Sequence, residues 1–184
     1  MRREPTPDPP RLTPHLPTPR PMPAQTLPVI LAAHEGRTPA PLNIVGETTL
    51  VKIAPEDCEG RYAVFHLDAP PMSGPPLHVH TREDEFFYVL EGELVFEVDG
   101  VCHTVSAGGS AGLLRGVPHR YQNFTDRTAR LLIVTTPGEF AHFFAEMDAI
   151  TPPGGMPDME RLPAIDAKYG ITTFGPPMLT RPAA

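Results

Sequence analysis

Short runs of alternating apolar and polar residues follow one another from about residue 29 to residue 137, separated by glycine, proline and aspartate. Strand side chains alternate between two faces, so this period predicts half-buried strands rather than helices. The predicted strands are 48–53, 61–67, 77–80, 85–90, 93–98, 102–105, 110–114, 119–123 and 130–136. Many short strands at this spacing are typical of an antiparallel sandwich or barrel.

The period changes after Pro137, where apolar residues recur at helical spacing. They are Phe140, Phe143, Phe144 and Met147. We interpret this stripe as a packing face that closes one mouth of the barrel, with a substrate-binding face as the alternative. A second, shorter helix is predicted over about residues 158–169. Upstream, Asp99-Gly100 predicts a tight hairpin turn between two of the strands, because glycine accepts the positive φ that such turns need.

The first 28 residues differ in composition, with ten prolines among them. Proline at this density removes hydrogen-bond donors and blocks both helix and sheet, which predicts an extended, flexible leader. Met22 is a candidate for the natural start of translation. The predicted organisation is therefore a leader over 1–28, a barrel with its closing helix over 29–150 and a C-terminal extension over 151–184.

Composition narrows the classes of function. The chain has a formal charge of −7 and no basic stripe, which argues against nucleic acid as a partner. No apolar run approaches the roughly 18 residues that a membrane span needs, so no membrane partner is expected. Cys58 and Cys102 are the two cysteines, without metal-type spacing, and a reducing cytoplasm is the expected compartment.

Histidines carry the strongest chemical signal. His78 and His80 are separated by one residue on a predicted strand, so their imidazoles point to the same side. Glu85 follows at an odd spacing, and the polar stretch 81–84 predicts a break that turns its carboxylate to that side as well. With His119 further along, these residues suit one divalent transition metal: Fe, Mn, Ni, Co, Cu or Zn. The alternative is a barrel whose histidines only satisfy internal hydrogen bonds.

Two segments resemble the signature motifs of the cupin superfamily. The first contains His-x-His, a glutamate after four intervening residues and a glycine, Gly92, after six more; the second reads Gly-x-x-His-x-x-x-Asn. The resemblance covers roughly residues 45–137 and implies an all-β antiparallel jelly-roll barrel. It also implies that His78, His80, Glu85 and His119 are the metal ligands. Asp84 fits a looser form of the motif, but Glu85 keeps the six-residue gap to Gly92.

The chain departs from the family pattern at two turn positions. Met72 stands where a glycine usually precedes the first histidine by six positions, and Leu114 stands where a proline often precedes the glycine of the second motif. Both positions belong to turns rather than to ligand atoms, so the metal prediction is retained.

Strand parity predicts which other side chains point into the barrel. Phe87 shares parity with Glu85, and Tyr121 and Asn123 share parity with His119. We predict Phe87 and Tyr121 as lining of a substrate pocket, with plain core filling as an equal alternative. Asn123 is expected to orient a loop, and His103 is expected at the surface.

The flanks of the motifs resemble small single-domain cupins of the quercetin-dioxygenase-like kind. This implies a metal-dependent dioxygenase acting on a small hydroxylated aromatic or enolic substrate, with Glu85 also accepting a proton. A redox-neutral isomerase, lyase or decarboxylase, and a non-catalytic small-molecule binder, are the other interpretations. The resemblance also implies a homodimer, and the apolar run 29–33 is a candidate strand for pairing with a partner's sheet edge.

Overall fold

A computed structural model describes residues 28–182 as two antiparallel β-sheets with two short helices. The strands are β1 (Leu42–Ile44), β2 (Glu47–Ile53), β3 (Ala63–Ala69), β4 (His78–His80), β5 (Asp84–Glu91), β6 (Glu93–Val98), β7 (Val101–Ser106), β8 (Ser110–Leu113), β9 (His119–Gln122), β10 (Ala129–Thr136) and β11 (Ile171–Thr173). The helices are α1 (Ala141–Ile150) and α2 (Leu162–Tyr169). Short 3-10 turns occupy Pro55–Asp57 and Gly138–Phe140.

Strands that follow one another along the chain often belong to different sheets. The six-stranded sheet has the order β1-β2-β3-β10-β5-β8, and the five-stranded sheet has the order β11-β4-β9-β6-β7. Every pair of neighbouring strands is antiparallel. The chain therefore crosses repeatedly from one sheet to the other, as in a jelly roll, and the predicted all-β antiparallel barrel is confirmed.

Apolar side chains of the two sheets form the core between them. In β3, Phe65 and Leu67 are buried while the alternate residues Val64 and His66 stay partly exposed. β10 repeats this alternation beside it. Burying one large apolar side chain contributes about 1.5–3 kcal/mol, so a single-residue register slip would forfeit several such contributions in each strand.

All nine predicted strands are present, with ends displaced by at most two residues. The sequence pattern missed β1 and β11, which are three residues long. Helix α1 confirms the predicted aromatic stripe: the Phe144 ring lies 4.7 Å from that of Phe65, and Phe143 packs against Tyr169. Helix α1 thus covers one end of the barrel, and α2 occupies the last eight residues of its predicted range.

The segment 29–33 is irregular chain in this structure rather than a strand. It runs along the outer side of β2 and β3, where the Lys52 ammonium donates hydrogen bonds to the carbonyls of Ala32 and Ala33. The predicted leader, with Met22, lies outside the described residues except for Pro28. Within residues 28–182, no helix combines the length and apolar character needed to cross a membrane.

Candidate metal centre

His78 and His80 come together because β4 alternates its side chains. Both histidines are buried, whereas Val79 between them is only partly buried. β4 lies between β11 and β9, and His78 is the direct cross-strand partner of His119. Directly opposite residues have Cβ atoms about 4.5–5.5 Å apart, so this pairing brings the third imidazole to the first two.

Glu85 enters the cluster from the opposite sheet. A bend over residues 81–83 separates β4 from β5 and resets the alternation, as the polar stretch predicted. Glu85 is 7% exposed and faces inward, while its neighbour Asp84 pairs with Arg115 at 2.7 Å. The structure therefore places Glu85 with the histidines and leaves Asp84 outside the cluster.

The four ligand atoms all lie within 4.8 Å of one another. Nε2 of His78 is 3.0 Å from Nε2 of His80, and Nε2 of His119 is 3.2 Å from Oε2 of Glu85. Three ring nitrogens and one carboxylate oxygen thus point at a common centre. The cluster could hold a single metal ion, since imidazole and carboxylate donors suit divalent transition metals.

The other ring nitrogens are oriented from outside the cluster. Nδ1 of His78 lies 2.7 Å from the carbonyl of Pro76, and Nδ1 of His119 lies 2.9 Å from that of Val117. A carbonyl only accepts, so each Nδ1 carries a proton, and each Nε2 can present a lone pair to a metal ion when its imidazole is neutral. Metal-binding histidines are characteristically held in this way.

The outer ring nitrogen of His80 faces a carboxylate instead. Its Nδ1 lies 3.6 Å from Oε2 of Glu83, a residue only 5% exposed. That separation exceeds a hydrogen bond, and both atoms are buried without another partner. A small movement of either side chain would join them, and a buried carboxylate behind a metal-binding histidine fits the donor set.

Burial and the mutual charges of the cluster residues shift their pKa values. Burial raises the pKa of Glu85, but the charge of His80 and the hydrogen bond from His119 more than offset it and hold that pKa well below its usual range. Burial, reinforced by the other two histidines, lowers the pKa of His78 to about 4. Burial also opposes charge on His80, but Glu85 and Glu83 raise its pKa overall.

One aromatic ring contacts the cluster directly. Phe140, just before α1, meets the His80 ring edge-on at 4.8 Å. Phe87 and Tyr121, each two residues past a cluster member, pack mutually with Phe96, with centroids 5.5–5.7 Å apart. Phe87 and Tyr121 are thus buried as parity predicted, 3% and 5% exposed, and their role in substrate binding stays a prediction.

Several other predicted positions have clear surroundings. The Asn123 amide donates to the carbonyls of Ala69 and Arg127, which ties two loops together. His103 is exposed on β7, as predicted, and His66, for which no prediction was made, faces outward on β3. Neither of these histidines joins the cluster.

Sequence reasoning missed two buried carboxylates. Glu83 stands in a polar stretch that predicts only a turn, so nothing marked it as buried. Glu47 opens β2, and its carboxylate accepts hydrogen bonds from the hydroxyls of Tyr121 and Ser73. Its shared parity with Thr49 and Val51 was the available signal.

Comparisons with known proteins agree with this geometry. Residues 65–135 match the cupin domain family. Over 70 residues the chain is 37% identical to quercetin 2,3-dioxygenase of Bacillus subtilis (strain 168), a match that covers 38% of this chain but only 20% of that protein.

Solved structures overlap the barrel in part. The protein TT1209 from Thermus thermophilus is 32% identical, covering 42% of this chain and 74% of its own, with a TM-score of 0.41. A predicted oxalate decarboxylase from Thermotoga maritima is 25% identical, covering 50% and 80%, with a TM-score of 0.48. On the family match, the two antiparallel sheets and the histidine–glutamate cluster, residues 65–135 of this chain form a cupin domain.

Proposed function

We propose that this cupin is a metal-dependent dioxygenase that acts on a small hydroxylated aromatic or enolic substrate. The observation that carries the proposal is the convergence of three Nε2 atoms and one carboxylate oxygen within 4.8 Å. The matched 70-residue stretch of the Bacillus subtilis quercetin 2,3-dioxygenase supports the reaction class.

His78, His80, Glu85 and His119 would hold the metal, which could be Fe, Mn, Ni, Co, Cu or Zn. When bound, such an ion polarises an oxygen ligand and, for the redox-active metals, supports chemistry with dioxygen. Glu85 contributes a permanent negative charge, because its pKa is lowered far enough for the carboxylate to stay ionised at neutral pH. An anion with so low a pKa is a weak base, and full turnover by a metal-loaded Glu85→Gln variant would remove its predicted proton-accepting role.

The aromatic rings would bind the substrate and exclude water. In the proposal the substrate ring lies against Phe87 and Tyr121, which pack edge to face and follow Glu85 and His119 by two residues each. Phe140, which meets the His80 ring edge-on, would exclude water on its side of the site, and this would strengthen electrostatic interactions within it.

The buried side chains provide no cationic group for a phosphate, which favours a substrate without phosphate. Among residues 28–182, the buried polar and charged side chains include glutamates and histidines but no arginine or lysine. A phosphosugar would lack its usual cationic partners in such a cavity. The surroundings suit a neutral phenol or enol better.

The test is metal reconstitution followed by oxygen-electrode assays on a panel of flavonols, catechols and enolic ketones. We expect oxygen consumption to match substrate loss one for one and to depend on the metal supplied. Phe87→Ala should weaken substrate binding more than metal binding. Equal turnover without oxygen would favour a redox-neutral isomerase, lyase or decarboxylase, and tight binding without turnover would favour a non-catalytic binder.

We also propose a homodimer and a cytoplasmic location. The outer face of the six-stranded sheet exposes Phe86, Tyr88 and Leu90, which form the outer stripe. Segment 29–33 runs over the same sheet, so one face presents both to a second copy. Cys58 and Cys102 are both free thiols, which supports a reducing compartment.

A further inference from the structure

The strand that carries two of the cluster histidines takes most of its backbone support from the C-terminal part of the chain. Ile171–Thr173 of β11 pair with His78–His80 of β4 along their whole length. The neighbour on the other side, β9, meets β4 at one residue pair, His78 and His119. A three-residue strand is too short to fix its own position, so the backbone of both histidines depends on β11.

Hydrogen bonds continue this pairing beyond both ends of β11. The Phe174 amide donates a hydrogen bond of 2.8 Å to the carbonyl of Leu77. At the other end, the Gly170 carbonyl accepts hydrogen bonds from the Thr81 amide at 3.0 Å and from the Thr81 hydroxyl at 2.9 Å. The C-terminal segment is therefore bonded to the residue before His78 and to the residue after His80.

Helix α2 anchors this contact to the rest of the fold. Tyr169, the last residue of α2, is 8% exposed, and its ring packs against that of Phe143 on α1. Its hydroxyl donates a hydrogen bond of 2.7 Å to the Glu146 carboxylate, also on α1. Helix α1 in turn packs on the barrel core through Phe144. Two helices and β11 thus connect the barrel core to the open edge of β4.

Gly170 lies where α2 ends and the contact with β4 begins. Its φ of 73° belongs to the left-handed region, which glycine adopts without strain. A Cβ atom at this position would overlap the Thr81 hydroxyl. Gly154 has a similar φ of 67°, but a Cβ atom added there meets nothing within 4 Å. The two glycines share the backbone requirement and differ in the close approach to the bend after β4.

We propose that β11 and the helix end at Gly170 are positioning parts of the metal centre, which hold His78 and His80 at the separation that a metal ion needs. The inference rests on the metal centre of the proposed function, though not on the dioxygenase reaction. Metal binding and docking of the C-terminal segment both favour the same backbone position of β4. Each therefore strengthens the other by the same free energy.

The zinc affinity of Gly170→Ala tests the helix end. Zinc(II) binds imidazole and carboxylate donors without redox chemistry, and competition with a chromophoric chelator measures its affinity. We expect Gly170→Ala to bind zinc about tenfold more weakly than the wild type, a loss typical of removing a group that orients a metal ligand. Gly154→Ala carries the same backbone strain without the overlap and should keep the wild-type affinity.

Hydrogen exchange followed by mass spectrometry tests the coupling in the wild type. Bound zinc should slow exchange of the amides in β11 more than in β1. Strand β1 is the matched control, because it is also three residues long and at a sheet edge, while its partner β2 holds no cluster residue. A purely structural role would protect β11 equally with and without zinc, so the zinc-dependent difference reports the positioning role.

Equal zinc affinities of Gly170→Ala and Gly154→Ala, both folded by circular dichroism, would overturn the positioning role. So would exchange of β11 that zinc slows no more than that of β1, and this comparison decides alone if Gly170→Ala does not fold. A wild-type chain that binds no zinc would overturn the metal centre and the inference with it. Weaker zinc binding by Gly170→Ala, in a protein that consumes no oxygen on any substrate, would leave the inference standing and overturn the dioxygenase instead.

Discussion

Asp84 and Glu85 are adjacent in the chain, yet their carboxylates lie on opposite sides of the six-stranded sheet. Asp84 accepts hydrogen bonds of 2.9 and 2.7 Å from the Arg115 guanidinium on the outside. Glu85 lies inside, 3.2 Å from Nε2 of His119. The same strand alternation that separates them decides which carboxylate can reach a metal ion.

Substitution of each neighbour should therefore have a different effect on metal binding. Removal of a group that only hydrogen-bonds to a metal ligand typically costs about 10–100-fold in metal affinity. Glu85 is itself a predicted ligand, so Glu85→Gln should lower the affinity at least about tenfold. Asp84→Asn keeps the four donors and should retain wild-type metal content. Competition with a chromophoric chelator measures both affinities, and a larger loss in Asp84→Asn than in Glu85→Gln would reverse the ligand assignment.

The three histidines should behave as one set. His119→Ala removes a donor that is 1% exposed, and we expect its metal content after purification to fall below about half that of the wild type. Its melting temperature should lose the increment that bound metal gives the wild type, since a ligand stabilises the state that binds it. His103→Ala, at an exposed position on β7, is the matched control and should keep both properties. Full metal loading of a His78→Ala/His119→Ala double variant would exclude the centre.

Glu83→Gln tests the orientation of His80 without altering a ligand. The carboxylate stands 3.6 Å from Nδ1 of His80, and a neutral amide in its place weakens the hold on the ring and its basicity. We expect a loss of about 10–100-fold in metal affinity with the fold intact. Arg82→Gln, one residue earlier in the same bend, is the control for a general effect on the turn. Equal affinities in Glu83→Gln and the wild type would remove Glu83 from the site.

The alternation of apolar residues predicted most of the barrel strands, and the motif spacing predicted that the four cluster residues form one site. They succeeded because long strands with one buried face leave a strong period, as in β3 and β10. β1 and β11 are too short to show one. β11 forms because it pairs with β4, where Ile171 lies opposite His80. This pairing joins distant parts of the chain, so no local sequence pattern predicts it.

The buried carboxylates were missed for a different reason. Charged residues at strand ends and bends are normally solvated, so Glu47 and Glu83 carry no local signal of burial. Their surroundings are made by long-range contacts, such as the hydrogen bond from Tyr121 to Glu47 across 74 positions of sequence. The alternation of β2 could have pointed Glu47 inward, had the predicted strand begun one residue earlier.

The proposed homodimer predicts a light-scattering mass of two chains for the full-length protein. The outer stripe lies beside Leu132 and Val134 of β10, which makes a continuous apolar surface of the kind that associates in water. Phe86→Glu should therefore shift the protein to monomer, whereas Leu114→Glu, at another exposed apolar residue, should not. Deletion of residues 1–21 should leave the mass unchanged, and deletion through residue 45 should impair dimerisation. A clean monomer for the full-length chain would contradict the assembly.

Glu47 should make the stability of the fold depend on pH in the direction opposite to an ordinary salt-bridged carboxylate. Its pKa is raised from 4.5 to about 7 in the folded state, so between these values the folded protein holds a proton that the unfolded chain has released. Stability therefore falls as pH rises through this window, by at most about 3 kcal/mol for this one group.

Glu47→Gln removes that dependence, because its amide stays neutral at every pH while still offering partners to Tyr121 and Ser73. The melting temperature of the variant relative to the wild type should accordingly rise between about pH 4.5 and pH 8, by several degrees at roughly 2–4 °C per kcal/mol. Glu91→Gln, in which the carboxylate lost is exposed, is the control and should show no such trend. Calorimetric melts at matched metal saturation measure the difference, and parallel curves for Glu47→Gln and the wild type would mean that Glu47 does not hold a proton in the folded protein.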